Sequence, residues 1–84
     1  MEEVALFRIG QALKDLRLRR GLTQQEAGQL ARLPREKVVR MEQGRGTIAI
    51  GAYVALARAL GAEFALAPVR RPTIEEIGKV LGDE

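Results

Sequence analysis

The side chains best suited to bind a ligand lie between Gly21 and Gly44. Four charged residues fall on the outer side of a short helical pattern there: Arg35, Glu36, Lys37 and Arg40. Val38 and Met41, three positions apart, form the inner side of the same pattern. A guanidinium fork pairs with two acceptors at once, and an ammonium group neutralises phosphate as a point charge. These residue types indicate binding of a phosphate-bearing partner.

A first short helix must precede this group. Thr23 is suited to cap it because its hydroxyl can accept a hydrogen bond from an unpaired backbone N–H, and Glu26 completes a capping box. The helix is therefore predicted from Gln24 to Ala31. Its N-terminus carries free N–H groups and a partial positive charge, so we expect Gln24 to anchor a phosphate through its backbone and its side chain.

The second short helix, which carries the charged group, begins after Pro34. The proline ring disfavours a helical conformation at Leu33 and is tolerated in the opening turn of a helix. This helix is predicted from about Arg35 to Gln43, with Gly44 as its C-cap candidate. Two short helices joined by a tight turn, with basic and polar side chains outward, form the arrangement that places a recognition helix in the DNA major groove.

Three motifs together resemble the lambda-repressor-like (Cro/C1, or xenobiotic-response-element) helix-turn-helix family. They span roughly residues 6–61 and read Gly21-Leu22-Thr23-Gln24-Gln25-Glu26, Val38-x-Arg40-Met41-Glu42-x-Gly44 and Ala57-x-Ala59-Leu60-Gly61. The resemblance implies an all-α, five-helix-type fold. It also implies a buried ion pair between Arg17, four residues before Gly21, and Glu42 at the end of helix three. Such a pair mainly fixes how the helices meet.

By the same resemblance, Arg35 and Glu36 occupy positions that face base edges, and Arg40 lies one turn further along. Arg35 can form a bidentate pair with guanine O6 and N7, and Glu36 can accept from a cytosine amino group. Phosphate contacts, where charge matters more than shape, suit Arg20, Lys37 and Arg45. The predicted DNA-binding set is Thr23, Gln24, Arg35, Glu36, Lys37, Arg40 and Arg45. An ordinary exposed charge is the alternative for each of the charged members.

The turn and the core depart from the family pattern. Arg32 stands where the family usually has Gly, and Pro34 stands where a small polar cap is usual. Ala27 and Gly28 replace the common Leu and Ala, which allows closer helix packing but a thinner core. We therefore expect the fold to be kept and the turn geometry to differ.

Two further helices are predicted around this unit. Val4–Arg20 has apolar residues at helical spacing and ends at Gly21. The helix dipole favours cations in the last turns of a helix, and this is the alternative explanation for Lys14, Arg17, Arg19 and Arg20. The fourth helix is predicted from Ile50 or Gly51 to Leu60, with Tyr53 in the core rather than stacked on a base. Residues 1–61 are thus predicted to form the DNA-binding domain.

Residues 62–84 are predicted to serve dimerisation or partner binding. The segment Glu63–Ala67 partly alternates, with Phe64 and Leu66 on one side. One short strand cannot satisfy its own backbone, so it is predicted to pair with the same strand of a second copy in a ribbon. A second capping box starts an amphipathic helix at Thr73–Leu81, whose apolar stripe would dock on the same domain, on the second copy or on another protein.

Charge is unevenly placed along the chain. Arg8 to Arg45 holds ten Lys/Arg and four Asp/Glu, a net +6, whereas Thr73 to Glu84 has a net charge of −3. The basic part coincides with the two short helices, which favours a phosphate-bearing partner there, although a solvated charged surface is the alternative.

The composition disfavours catalysis and metal binding. The chain has no Cys and no His, and Ser and Asn are also absent, so no pair of nucleophile and base can be proposed. We therefore expect no enzyme activity, no metal and no cofactor.

No targeting signal and no run near the roughly 18 apolar residues of a membrane span are present, so a cytoplasmic protein without membrane contact is expected.

The leading hypothesis is a homodimeric repressor that binds a palindromic operator in double-stranded DNA. The end of the chain resembles that of small antitoxin-type regulators which partner HipA-like or HigB-like toxins. On that hypothesis the protein would bind a toxin protein and repress the operon that they share. The alternative from another class is a protein-interaction adaptor that keeps the fold without binding DNA.

Overall fold

The computed structural model of the protein describes residues 2–69, with side chains from Val4 onward. These residues form four helices: α1 (Glu2–Arg19), α2 (Gln24–Ala31), α3 (Arg35–Gln43) and α4 (Ile50–Ala59). The predicted bounds of α2 and α3 are confirmed. Helix α1 begins before Val4 and ends one residue before Arg20, and α4 ends one residue before Leu60. None of the helices within residues 2–69 is long and apolar enough to cross a lipid bilayer.

The C-terminal part differs from the prediction. Residues 62–69 have no regular secondary structure, so the strand predicted at Glu63–Ala67 is not formed in the single chain. The physical reason is that the described part of the chain offers no second strand to pair with its backbone N–H and C=O groups. The fifth helix, predicted at Thr73–Leu81, lies outside the described residues.

One core joins all four helices. Its buried apolar residues are Leu13, Ala27, Val38, Met41, Tyr53, Leu56, Ala57 and Leu60. Tyr53 is 3% exposed, which confirms its predicted place in the core, and its ring centroid lies 6.4 Å from that of Phe64. Its hydroxyl is buried without a hydrogen bond to residues 2–69, and this burial raises the pKa of Tyr53.

Two glycines let α1 approach the end of α3 closely. A Cβ atom added to Gly10 would overlap the carbonyl oxygen of Met41, and one added to Gly44 would lie 2.7 Å from the Cα atom of Phe7. Both contacts would be much shorter than van der Waals contact, so only glycine permits this backbone packing. The result is a fixed distance between α1 and the C-terminal turn of α3.

The turn between α2 and α3 keeps its left-handed residue without glycine. Arg32 has φ 60° and ψ 44°, and its N–H donates to the Gln29 carbonyl at 3.3 Å. This conformation costs a residue with a Cβ atom about 1–2 kcal/mol. Gly28 accommodates the chain after the turn, because a Cβ there would lie 2.6 Å from the Leu33 carbonyl oxygen. The turn thus contains a left-handed residue, and this residue is Arg32, at the position where the family usually has glycine.

We predict that Gly10→Ala lowers the free energy of unfolding by about 1–3 kcal/mol, because its methyl group meets backbone that cannot move aside. Gly51→Ala is the matched control, since its methyl group would enter open space in α4 and should raise that free energy by up to about 1 kcal/mol. Urea unfolding followed by circular dichroism measures both. Equal effects of the two changes would contradict the close packing of α1 on α3.

Candidate nucleic-acid interface

A buried ion pair holds α1 against α3. Arg17 Nε donates to Glu42 Oε2 at 2.6 Å, and Arg17 Nη2 donates to Glu42 Oε1 at 3.1 Å. The side chains of Arg17 and Glu42 are 8% and 3% exposed. Arg17 Nη1 also donates to the Leu22 carbonyl oxygen at 2.8 Å, which ties the segment before α2 to the same guanidinium. The geometry is a bidentate fork, so it sets the orientation of both helices as well as their distance.

The ion pair extends to the first residue of α2. Gln24 Nε2 donates to Glu42 Oε1 at 3.1 Å, and the Gln24 side chain is half-buried. This differs from the expectation that the whole side chain would anchor a phosphate, because one amide hydrogen is taken by the carboxylate. The second hydrogen of Nε2 and the backbone N–H groups of Gln24 and Gln25 are left for an anion, whereas the Glu26 N–H donates to Thr23.

Thr23 positions the start of α2 through the predicted capping box, which the structure contains. Thr23 Oγ1 accepts from the Glu26 N–H at 3.0 Å, and Glu26 Oε1 accepts from the Thr23 N–H at 2.9 Å. The hydroxyl group therefore acts as an acceptor toward the helix, while its own proton can be donated outward. Thr23 is exposed, so this proton can reach a phosphate oxygen.

The outer side of α3 is free for a partner. Val38, Met41 and Glu42 are buried, which turns Arg35, Glu36 and Arg40 toward solvent. Lys37 is half-buried at the edge of this surface. An α-helix with its side chains is about 10–12 Å in diameter, and the major groove is about 12 Å wide. The helix therefore has the dimensions and the exposed polar side needed to enter the groove.

Arg35 lies close to the start of α2. A groove of about 440 Å³ has Arg35 on its lining together with Thr23, Gln24 and Gln25. The structure thus joins the first turn of α3, predicted to face bases, to the first turn of α2, predicted to face phosphates. The electrostatics of this groove favour an anion, because Arg35 is exposed and the helix N-terminus adds a partial positive charge.

Sequence reasoning left Gln43 out of the candidate set and did not find the partner of Arg20. Gln43 is exposed and follows Glu36 and Arg40 on the outer side of α3 at helical spacing, a signal that the sequence already held. Arg20, predicted to contact a phosphate, is exposed and donates from Nε to the Leu60 carbonyl oxygen at 2.8 Å, which leaves its other N–H groups for that role. It satisfies an unpaired carbonyl at the end of α4, forty positions along the chain.

The remaining predicted residues are Arg45 for DNA binding and Phe64 and Leu66 for dimerisation. Arg45 follows α3, is exposed, and donates from Nη1 to Gln43 Oε1 at 3.3 Å. Phe64 is half-buried against Tyr53, whereas Leu66 is 98% exposed. The two residues predicted for dimerisation therefore differ, because Phe64 already packs within its own chain and only Leu66 projects freely. No group of side chains suited to hold a metal ion occurs within residues 2–69.

Comparison with known proteins agrees with this geometry. The sequence model of a family described as "Helix-turn-helix domain" matches residues 8–69 of the 84-residue chain, which contain α2, α3, α4 and most of α1. No curated protein matches the chain, and no solved structure matches it.

We predict that Arg17→Met lowers the free energy of unfolding by about 3–5 kcal/mol, because it leaves the Glu42 carboxylate buried without its cation. The double change Arg17→Met with Glu42→Met should be less harmful, since no buried charge remains. Arg19→Met, on the exposed side of the same helix, should change the value by less than about 0.5 kcal/mol. Urea unfolding compares the three proteins, and a double variant weaker than the single one would refute the explanation.

Proposed function

The chain belongs to the helix-turn-helix domain family, and from this premise we propose that it is a sequence-specific transcriptional repressor that binds double-stranded DNA. The observation that carries the proposal is the exposed side of α3, on which Arg35, Glu36 and Arg40 project while Val38 and Met41 anchor the helix in the core. We further propose that the protein acts by binding and not by catalysis, and that it works in the cytoplasm.

Base reading falls to the first turn of α3. Arg35 pairs with guanine O6 and N7 through two parallel hydrogen bonds, and Glu36 accepts from a cytosine amino group. Each good pair contributes about 1–3 kcal/mol of discrimination against the wrong base. Arg40, one turn further, reaches bases or the adjacent phosphates. The exposure of all three side chains supports this assignment.

Phosphate contacts place α3 in the groove without reading sequence. Thr23 donates its hydroxyl proton, and Gln24 donates its backbone N–H and the amide hydrogen that Glu42 leaves free. Lys37 and Arg45 flank α3 and add charge. Because Gln24 is held by the Arg17–Glu42 pair, these contacts are positioned before DNA arrives.

We propose that two copies bind a palindromic operator whose half-sites lie about 34 Å apart. A groove of about 460 Å³ between α4 and the segment that follows supports a dimer, because a second copy could fill it. Arg58 and Glu63 both line it, so a twofold axis can place Arg58 of each chain against Glu63 of the other. A strand pair of residues 63–67 would continue the same interface.

The antitoxin hypothesis adds a second partner. We propose that residues 62–84 bind a toxin protein and that the complex represses the operon encoding both. Leu66 and Val69 offer apolar surface for a contact of this kind, because they are 98% and 72% exposed. A footprint of the protein on its own promoter, strengthened by the product of the neighbouring gene, would support this role.

We predict that Arg35→Ala relaxes sequence preference, because it removes a bidentate contact to a base worth about 1–3 kcal/mol. Lys37→Ala should weaken binding to all duplexes alike and lower the slope of log K against log salt by about one. Selection from a random duplex pool, followed by anisotropy titrations at several salt concentrations, measures both effects. Identical losses on every sequence would contradict the division of roles, and wild-type protein that selects no duplex would favour the adaptor hypothesis.

For the dimer, we predict that Arg58→Glu and Glu63→Arg each shift the protein toward monomer, because each places like charges across the twofold axis. An equimolar mixture of the two variants should recover the dimer, since both contacts then join opposite charges. Sedimentation equilibrium measures the masses. Leu30→Asp, at an exposed leucine of α2, is the control that should keep the wild-type mass. Failure of the mixture to associate would show that Arg58 and Glu63 do not pair across the interface.

A further inference from the structure

The surface between α1 and the end of α3 holds a second cluster of donors. A groove of about 310 Å³ is lined there by Lys14 and Gln11 from α1, Gln24 from α2, and Gln43 and Arg45 from the end of α3 and the loop. We infer that this groove binds a phosphate group of the DNA backbone and that Lys14 contacts it directly. The inference rests on the proposed function and adds a contact surface on α1 to it.

The packing of α1 on α3 keeps the two cations on one groove. Gly10 and Gly44 allow the backbones of these elements to touch at Met41 and Phe7. Lys14 lies one helical turn beyond Gly10, and Arg45 directly follows Gly44. Their separation is thus set by backbone contacts and not by flexible side chains alone. An anion in the groove therefore meets both cations without a rearrangement of the helices.

The polar groups facing the groove are mainly donors. Lys14 and Arg45 are exposed, and neither forms a salt bridge with another residue of the described part of the chain. Arg45 Nη1 donates to Gln43 Oε1, which leaves the Gln43 amide nitrogen free to donate as well. One carboxylate, that of Glu42, also lines the groove, but Arg17 and Gln24 already donate to it. The remaining donors suit an anion rich in acceptor oxygens.

The groove adjoins the proposed DNA surface. Gln24 lines it and also lines the groove that contains Arg35, so the two lie on either side of the start of α2. A DNA strand that passes the N-terminus of α2 therefore meets both. Phe7, which is 53% exposed, forms an apolar part of the lining that suits a deoxyribose next to the phosphate. These features favour a nucleotide backbone over a small free anion.

The test compares Lys14→Gln with wild-type protein on a duplex that the wild type selects from a random pool. Loss of one phosphate contact should reduce the slope of log K against log salt by about 0.9, so that the deficit shrinks about threefold between 50 and 200 mM salt. Sequence preference should not change. Lys14→Arg should keep the slope, and Arg19→Gln, on the same helix but turned well away from Lys14, should match wild type.

Neutral linkages locate the phosphate. Replacing single phosphates of the duplex by methylphosphonate should weaken wild-type binding at several positions. At one of these positions Lys14→Gln should show no further loss, because the contact is already absent. Inorganic pyrophosphate serves as the competing probe. Its binding through Lys14, with no change in the DNA slope, would overturn the assignment to DNA.

The outcomes separate this inference from the proposed function. If wild-type protein binds its selected duplex and Lys14→Gln retains both the salt slope and the methylphosphonate profile, the groove on α1 is not a DNA contact, although the repressor proposal stands. If wild-type protein selects no duplex, both fail. Because Lys14 is exposed, its variants should keep the wild-type melting temperature, which circular dichroism checks.

Discussion

The rest of the structure depends on the buried pair of Arg17 and Glu42. Two charges removed from water are tolerated only when their hydrogen bonds are nearly complete, and here the fork, the Leu22 carbonyl and the Gln24 amide supply them. The requirement is directional. It fixes the end of α1, the segment before α2, the first residue of α2 and the last turn of α3 relative to one another. The buried residues of α2 are only an alanine and a glycine, so this network, more than side-chain packing, fixes the position of α2.

The exposed side of α3 follows from what the helix buries. Val38, Met41 and Glu42 share the inner side, so helical geometry alone turns Glu36 and Arg40 outward. The close backbone contacts at Gly10 and Gly44 then determine which side chains of α1 lie beside the end of α3. The molecule thus presents an exposed polar helix with donors on both sides of the start of α2, a distribution suited to a groove bordered by phosphates.

The segment after α4 packs on the domain at Phe64 and leaves it at Leu66. Phe64 packs on Tyr53 and closes the core, whereas Leu66, two residues later, has almost no contact with its own chain. A strand at this place requires a second edge, which one chain does not provide within residues 2–69. A pattern of alternating side chains shows only that a segment suits a strand, and the strand forms where a second edge is present.

Local chemistry in the sequence determined where α2 and α3 begin and end, because a capping box at Thr23, a proline at position 34 and a glycine at position 44 act within a few residues. Periodicity likewise determined which side of α3 is buried. Only the tertiary structure decided that Arg20 binds the Leu60 carbonyl, that Gln24 is shared with Glu42, and that Lys14 and Arg45 line one groove. Those partners lie far apart in sequence, and their meeting depends on how closely the helices pack, which no local pattern encodes.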